Sequence, residues 1–288
     1  LQMDASWEHW LGPTLPKITL HIAVDDASGI VVGANFQPQE TLTGYYEVMA
    51  QILSTCGAPA EILTDRRTVF NSNKKADTPG QENPLTTFGY ACQTLGTRLS
   101  VTSIPQAKGR VERMIQTFQS RLGSELRLAK VSTIEQANMF LKGFLRRFNK
   151  QFALPLEGIT SVFDKQMSVS EIDRILIVAR ERTVSRGHTI QLENQTYQTV
   201  QDNQLVCLPP KTKLLAIRTY KGHLYATDTN DHLYDLVPLP AHEEHSLAFE
   251  VVVEAPAKPK PKRKPRKPSI THPWRLMNYR DYLMRSEE

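Results

Sequence analysis

Residues 17–36 read KITLHIAVDDASGIVVGANF, and this stretch decides how the first half of the chain folds. Its two ends, residues 17–24 and 30–36, are runs of β-branched and apolar side chains, which favour strands. Between them, residues 25–29 (DDASG) are of the types that tolerate turn geometry. The stretch therefore predicts a β-hairpin.

Downstream of this hairpin, helical and extended patterns alternate. We predict helices over 41–56, 84–95 (with Pro84 at the first helical position), 110–130 and 132 to about 150, and short strands over 60–63 and 98–102. The last of these helices begins at the capping box that we assign to Ser132-x-x-Glu135. The order of strands and helices indicates a mixed α/β domain, to which we assign residues 1–155.

The pattern of predicted secondary structure changes after residue 155. Residues 156–182 are interpreted as a helical linker, with a short helix starting at the capping box Ser168-x-x-Glu171. Residues 183–240 are short β-like runs separated by Gly, Asn and Asp, a pattern typical of a small all-β barrel of the SH3-like kind. Residues 241–288 are predicted to be a disordered tail rich in Pro, Lys and Arg that ends in an HPWR segment.

The positive charge of the chain is concentrated in that tail. The 288 residues include 35 Lys and Arg against 30 Asp and Glu, a net charge of +5. Seven of the basic residues lie in 257–268 (AKPKPKRKPRKP), which contains no acid and leaves 28 basic and 30 acidic residues elsewhere. Such a block attracts DNA phosphates without sequence preference, and we predict contacts from Lys262, Arg263 and Lys264.

Several classes of protein are excluded by composition. No apolar run approaches the roughly 20 residues of a membrane helix, and the first residues lack the pattern of a signal peptide. The three cysteines, Cys56, Cys92 and Cys207, form no C-x-x-C pair, which argues against a disulfide scaffold or a zinc ribbon. We expect a protein of a reducing cytoplasm that is not associated with a membrane.

Three acidic residues lie where an open α/β sheet collects its active site, at strand ends and helix starts. Asp4 is in the opening run LQMDAS, Asp65 follows the predicted strand in ILTD, and Glu112 is in the first turn of the predicted helix in GRVER. Converging carboxylates repel one another unless cations join them, and Mg²⁺ or Mn²⁺ prefers such oxygen ligands. We predict two ions about 3.5–4 Å apart, bridged by Asp4 and completed by Asp65 and Glu112, for phosphoryl transfer.

The neighbouring acids receive a structural interpretation. Asp25 and Asp26 are taken as turn residues, and Glu40 as a residue preceding a helix cap rather than a metal ligand.

These motifs resemble those of the integrase-core (DDE) transposases of bacterial insertion sequences, closest to the ISNCY-type group. The resemblance rests on LQMDAS (1–6), HIAVDDASGIVVGANF (21–36), ILTDRRTVF (62–70) and PQAKGRVERMIQTFQSRL (105–122), and it covers roughly residues 1–240. It implies an RNase H-like fold and a metal-dependent DNA strand-transfer reaction, with Asp4, Asp65 and Glu112 at the matching triad positions. It also implies that the protein forms a homo-oligomer on DNA, because two element ends must be paired. By the same resemblance we expect it in the bacterial cytoplasm, associated with the nucleoid.

Two features depart from the family pattern. Asp65 and Glu112 are separated by 46 residues, more than in the retroviral pattern, and we attribute the excess to a surface insert at 71–84. The N-terminal helix-turn-helix region that such transposases usually carry is not among the 288 residues, and Leu1 in place of an initiating Met indicates a fragment.

The surroundings of Glu112 are basic. Residues 98–130 contain seven Lys or Arg and two acids, and we predict that Gln106, Lys108, Arg110 and Arg113 contact DNA. Two alternatives stay open at this point: a catalytically inactive remnant that binds DNA, and a nuclease of the RNase H type.

Overall fold

The computed structural model describes residues 1–71, 85–154 and 160–239. A five-stranded mixed sheet forms the centre of the first half, in the order β3-β2-β1-β4-β5. Its strands are β1 (Gln2–Glu8), β2 (Ile18–Val24), β3 (Val31–Gln37), β4 (Glu61–Asp65) and β5 (Arg98–Thr102). β2 is antiparallel to both β1 and β3, whereas β4 runs parallel to both β1 and β5.

Helices cover both faces of this sheet. They are α1 (Leu42–Thr55), α2 (Thr87–Thr94), α3 (Gly109–Leu128), α4 (Ile134–Phe152) and α5 (Val169–Ile175). One apolar cluster joins Ile22 and Phe36 of the sheet to Phe118 of α3 and Phe144 of α4. The other joins Met3 to Met49 of α1, to Phe88 of α2 and to Ile172 of α5. The prediction of a mixed α/β core flanked by helices is confirmed.

The predicted hairpin is present, and β2 is its most buried strand, since all seven of its residues are buried. The turn is held by Asp25, whose Oδ2 accepts hydrogen bonds from the backbone N–H (2.9 Å) and Oγ (2.5 Å) of Ser28. Gly29 follows at φ +71°, a left-handed conformation that glycine adopts without steric cost. Asp25 is therefore a turn residue, as predicted.

Two helix starts differ from the predictions. The helix expected over 84–95 begins at Thr87, because Thr86 Oγ1 accepts from Gly89 N–H (3.0 Å) and so caps it. The cap assigned to Ser132 is Thr133, whose Oγ1 accepts from Gln136 N–H (3.3 Å). The capping box at Ser168 is confirmed.

The second half of the described chain is a seven-stranded antiparallel sheet in the order β6-β10-β11-β12-β8-β7, with β9 paired to β8. Its strands are β6 (Val178–Thr183), β7 (Thr189–Leu192), β8 (Gln195–Gln201), β9 (Gln204–Leu205), β10 (Lys213–Arg218), β11 (Leu224–Thr227) and β12 (Leu233–Pro238). Its edge strands approach each other where Arg182 Nε donates to Gln191 O (3.1 Å), so the sheet nearly closes into a barrel. The first strand begins at Val178, ahead of the predicted start at 183.

No described helix is long and apolar enough to cross a membrane. Three predictions lie outside the described residues: the surface insert apart from Asn71, the tail with its HPWR segment, and the tail contacts Lys262, Arg263 and Lys264.

Candidate active site

Asp4 and Asp65 lie side by side at one end of the sheet. β1 and β4 are parallel neighbours with Gln2 opposite Leu63, and each aspartate is two residues further along its strand. Side chains two residues apart in a strand point to the same face. The register of one strand pair therefore brings the two predicted carboxylates together.

Lys108 lies between the two carboxylates. Its Nζ is 3.1 Å from Asp4 Oδ2 and 4.0 Å from Asp65 Oδ2. Lys108 ends a 3-10 turn (Pro105–Lys108) and is followed at once by α3. The chain leading into that helix therefore places the ammonium beside the two aspartates of β1 and β4. The side chain is only 7% exposed. The lysine predicted to contact DNA is thus an internal ion-pair partner in this conformation.

A second cation, Arg67, holds Asp65 from the other side. Its Nε donates to Asp65 Oδ2 (3.1 Å), and its backbone N–H donates to Asp65 Oδ1 (3.3 Å). The same guanidinium also pairs with Glu40, whose Oε1 accepts from the Tyr45 hydroxyl (2.7 Å). Sequence reasoning missed Arg67 and Tyr45, although an arginine two residues after a candidate catalytic aspartate was a visible signal.

Glu40 belongs to the electrostatics of this site. Burial raises the pKa of its carboxyl, against the lowering effects of the Tyr45 hydrogen bond and the Arg67 charge. Burial would lower the pKa of Arg67, but the ion pairs with Asp65 and Glu40 outweigh it and raise that pKa. Glu40 is therefore a member of a charged network, beyond the cap-preceding role predicted for it.

Gln2 joins β1 to the start of α3. Its Oε1 accepts from the backbone N–H of Val111 (3.0 Å), which is otherwise an unpaired donor in the first helical turn. Its Nε2 donates to Asp26 Oδ1 (2.8 Å). This buried amide fixes the helix start against the strand that carries Asp4, and sequence reasoning did not single it out.

Glu112 lies in the first turn of α3, as predicted, and is half-buried. Its carboxylate makes no hydrogen bond or ion pair with the other described residues. Among those same residues, no group of three His, Cys, Asp or Glu side chains is arranged to hold a metal ion. The structure thus brings together Asp4 and Asp65 of the predicted triad and leaves Glu112 outside their contact.

The remaining predicted DNA contacts surround the helix start. Gln106 and Arg113 are exposed, and Arg113 Nε donates to Gly109 O of its own helix (3.0 Å). Arg110 is half-exposed and paired with Asp26 (3.2 Å). Gln106 and Arg113 therefore face solvent, whereas Arg110 is held by a neighbouring acid.

The donor set fits a cation. Asp4 Oδ1 accepts from Ala5 N–H (2.9 Å), and Asp4 Oδ2 faces the Lys108 ammonium. Asp65 Oδ1 accepts from Arg67 N–H, and Asp65 Oδ2 accepts from Arg67 Nε (3.1 Å) and lies 4.0 Å from the same ammonium. Carboxylate oxygens are the ligands that Mg²⁺ and Mn²⁺ prefer. The two aspartates therefore form a cation-binding site, which the Lys108 ammonium occupies in this structure.

Two curated proteins resemble the chain in sequence. The transposase for insertion sequence IS1202 of Streptococcus pneumoniae is 41% identical over 290 residues, covering 100% of this chain and 60% of that protein. A protein named as transposase y4bF, of Sinorhizobium fredii, is 30% identical over 252 residues, covering 87% of this chain and 51% of that protein. The chain therefore spans 60% and 51% of the length of these relatives.

Comparisons with protein-family models and with solved structures do not identify a family or a fold for this chain. No protein-family model matches the chain. A chain from a simian T-cell lymphotropic virus intasome structure, which also contains the PP2A regulatory subunit B56 gamma, aligns at 16% identity. The alignment covers 82% of this chain and 74% of that chain with a TM-score of 0.38, a level that does not establish a shared fold.

The resemblance inferred from the sequence motifs is confirmed by these relatives, while the narrower ISNCY-type grouping stays a prediction. Along its whole length this chain is similar in sequence to the transposase for insertion sequence IS1202, and over 87% of its length to transposase y4bF.

Proposed function

We propose that this chain carries the catalytic core of a DNA transposase, a polynucleotidyl transferase that cleaves the ends of an insertion element and joins them to target DNA. One observation carries the proposal. Asp4 and Asp65 share a single cation at the sheet end, in a chain 41% identical to an insertion-sequence transposase. A paired carboxylate site of this kind suits metal-assisted phosphoryl transfer.

The proposed core fold is RNase H-like. The support is the mixed five-stranded sheet with helices on both faces and with its two acids side by side on the adjacent parallel strands β1 and β4.

The proposed cofactor is Mg²⁺ or Mn²⁺, as two ions held by Asp4, Asp65 and Glu112. When bound, such ions supply Lewis-acid stabilisation of the phosphoryl oxygens. Asp4 and Asp65 offer their Oδ2 atoms, and Arg67 fixes the orientation of Asp65. Glu112 lies in the first turn of α3, which begins directly after Lys108. That placement supports Glu112 as the third ligand, although it does not touch the pair here.

The proposed partners are element ends and target duplex, bound by a homo-oligomer. Gln106 and Arg113 lie exposed beside the helix start that carries Lys108, so they can meet a phosphate backbone next to the site. The basic residues Lys262, Arg263 and Lys264 would add affinity that weakens with salt.

The test is the joining of a pre-cut element-end duplex to plasmid DNA in Mg²⁺. We expect Asp4→Asn to lower joining by on the order of 10²-fold or more, the scale of losing one group that stabilises transition-state charge. Glu61→Gln is the matched control, because Glu61 lies on β4 but pairs with Arg98 and Ser100. Joining that survives Asp4→Asn would contradict the proposal, and DNA binding without joining by the unaltered chain would favour an inactive remnant.

A further inference from the structure

Lys108 is an unusual lysine. Lysines are almost never fully buried unless they are paired, and this one is 6% exposed. Its only ion-pair partners among the described residues are Asp4 and Asp65. Burying an ammonium is costly, so these two carboxylates are what keep it inside.

The oxygens that hold Lys108 are the ones a metal ion needs. The Oδ1 atoms of Asp4 and Asp65 already accept backbone N–H groups, from Ala5 and Arg67. Their Oδ2 atoms are the oxygens within 4.0 Å of the ammonium, and Asp65 Oδ2 also accepts from Arg67 Nε (3.1 Å). A divalent cation bound to both aspartates would therefore compete with Lys108 for the same oxygens.

We propose that the Lys108 ammonium is a resident counter-ion of the metal site: it holds Asp4 and Asp65 together without metal, and divalent cations must displace it to bind. This inference rests on the proposed function. It assigns Lys108 two alternative partners, the aspartates in the metal-free protein and the DNA phosphates once it is displaced. The sequence prediction that Lys108 contacts DNA would then apply to the metal-loaded state.

The chain allows this displacement without rearrangement of the core. The lysine side chain is a flexible stem with rotatable bonds, and it leaves the chain where a 3-10 turn meets α3. The next residue, Gly109, has no heavy atom within 4 Å of the position a Cβ would take, so the backbone beside Lys108 borders open space. Gln2 anchors the following turn through Val111 N–H, which leaves the helix in place when the ammonium departs.

The first experiment labels lysine amines on the unaltered 288-residue chain and measures each site by mass spectrometry. Without divalent cations, Lys108 should be protected and the exposed Lys142 should react. With saturating Mg²⁺, the labelling of Lys108 should rise while that of Lys142 stays constant. Continued protection of Lys108, under conditions where Mn²⁺ binding is demonstrated by electron paramagnetic resonance, overturns the inference.

The second experiment measures Mn²⁺ affinity directly, by the same resonance signal. Lys108→Met removes the competing cation and should tighten Mn²⁺ binding by about tenfold or more, equivalent to about 1.4 kcal/mol. Lys142→Met is the matched control and should bind like the unaltered chain. Equal or weaker binding by a folded Lys108→Met overturns the inference, and if that variant does not fold, the labelling experiment decides.

The outcomes separate this inference from the proposed function. If Mn²⁺ binds and is lost in Asp4→Asn, while Lys108 stays protected, the metal site stands and only the role of Lys108 fails. If the unaltered chain binds no Mn²⁺, both fail.

Discussion

At the scale of single residues, the site is organised by charges that burial forces into pairs. Lys108 and Arg67 each contact Asp65, and each also contacts a second acid, Asp4 or Glu40. A buried charge that loses its partner typically costs several kcal/mol, which applies to the buried Lys108. Arg67 is half exposed and acts by orienting Asp65 through two hydrogen bonds. The two catalytic candidates are thus held in place before any ligand arrives.

His21 makes the stability of the core depend on pH. It is fully buried, its Nε2 accepts from Thr41 N–H (3.3 Å), and its Nδ1 has no partner among the described residues. Burial, helped by the positive charge of Arg67, lowers its pKa from 6.5 to about 4. Because the folded value lies below the unfolded one, the unfolded chain takes up the proton first. The stabilisation is complete above pH 6.5 and is lost as the pH falls towards 4.

We therefore expect His21 to account for about 3 kcal/mol of the loss of unfolding free energy between pH 7 and pH 4, at 1.36 kcal/mol per pKa unit. Urea unfolding at several pH values measures it, with His21→Gln removing this component and the exposed His9→Gln as control. An unchanged pH profile in His21→Gln would show that His21 does not titrate this way.

At the scale of elements, the edge strand β3 is sealed by amide side chains from the helices. Asn149 of α4 accepts from Val31 N–H (3.0 Å) and donates to Val31 O (2.9 Å). Asn138 of α4 makes the same pair of bonds with Phe36, and Gln51 of α1 makes it with Ala34. Unpaired backbone groups on an edge strand invite pairing with other chains, and these three amides occupy them.

Asn149→Ala should consequently lower the unfolding free energy by about 1–3 kcal/mol, because both backbone groups of the buried Val31 lose their partner. Gln151→Ala, on the exposed side of the same helix, should cost much less. Chemical denaturation of both variants gives the comparison, and equal losses would mean that Asn149 does not seal the strand.

At the scale of the whole molecule, the α/β core and the β module are joined by specific polar contacts within one compact unit, Leu1–Ala241. The Tyr220 hydroxyl donates to Glu47 of α1 (2.9 Å), and Lys221 N–H donates to Asp173 of α5 (2.6 Å). The Tyr46 hydroxyl lies 2.9 Å from the carbonyl oxygen of Ile177, directly before β6. The module that follows the core is therefore fixed to it through α1 and α5.

Tyr46→Phe should destabilise the protein by about 1–2 kcal/mol, since Tyr46 is only 3% exposed and loss of its hydroxyl leaves the Ile177 carbonyl without this donor. Tyr90→Phe is the control, because Tyr90 is 54% exposed. The two variants are compared by thermal unfolding, and a Tyr46→Phe midpoint equal to that of Tyr90→Phe would refute the joining role.

Local pattern was enough to predict the elements but not the contacts between them. The hairpin at 17–36, the helix ending before Gly57 and the position of Asp65 at the end of a strand follow from side-chain types and turn residues. The burial of Lys108 and the Arg67–Glu40 pair depend on which strands are neighbours and on how the chain leaves β4. No periodicity of the sequence encodes that register, so the sequence predicts Lys108 as a DNA contact and Glu40 as a residue preceding a cap, and it predicts neither ion pair.

We propose that Asp4 and Asp65 bind divalent cations, Mg²⁺ or Mn²⁺, in the catalytic core of a DNA transposase. The most direct measurement is a crystal structure of this chain grown with Mn²⁺, in which anomalous scattering locates the metal. The account predicts an anomalous peak bound to Oδ2 of both aspartates, with the Lys108 ammonium moved away. An ordered site with the ammonium still between the two carboxylates, and Mn²⁺ absent or bound elsewhere, would contradict it.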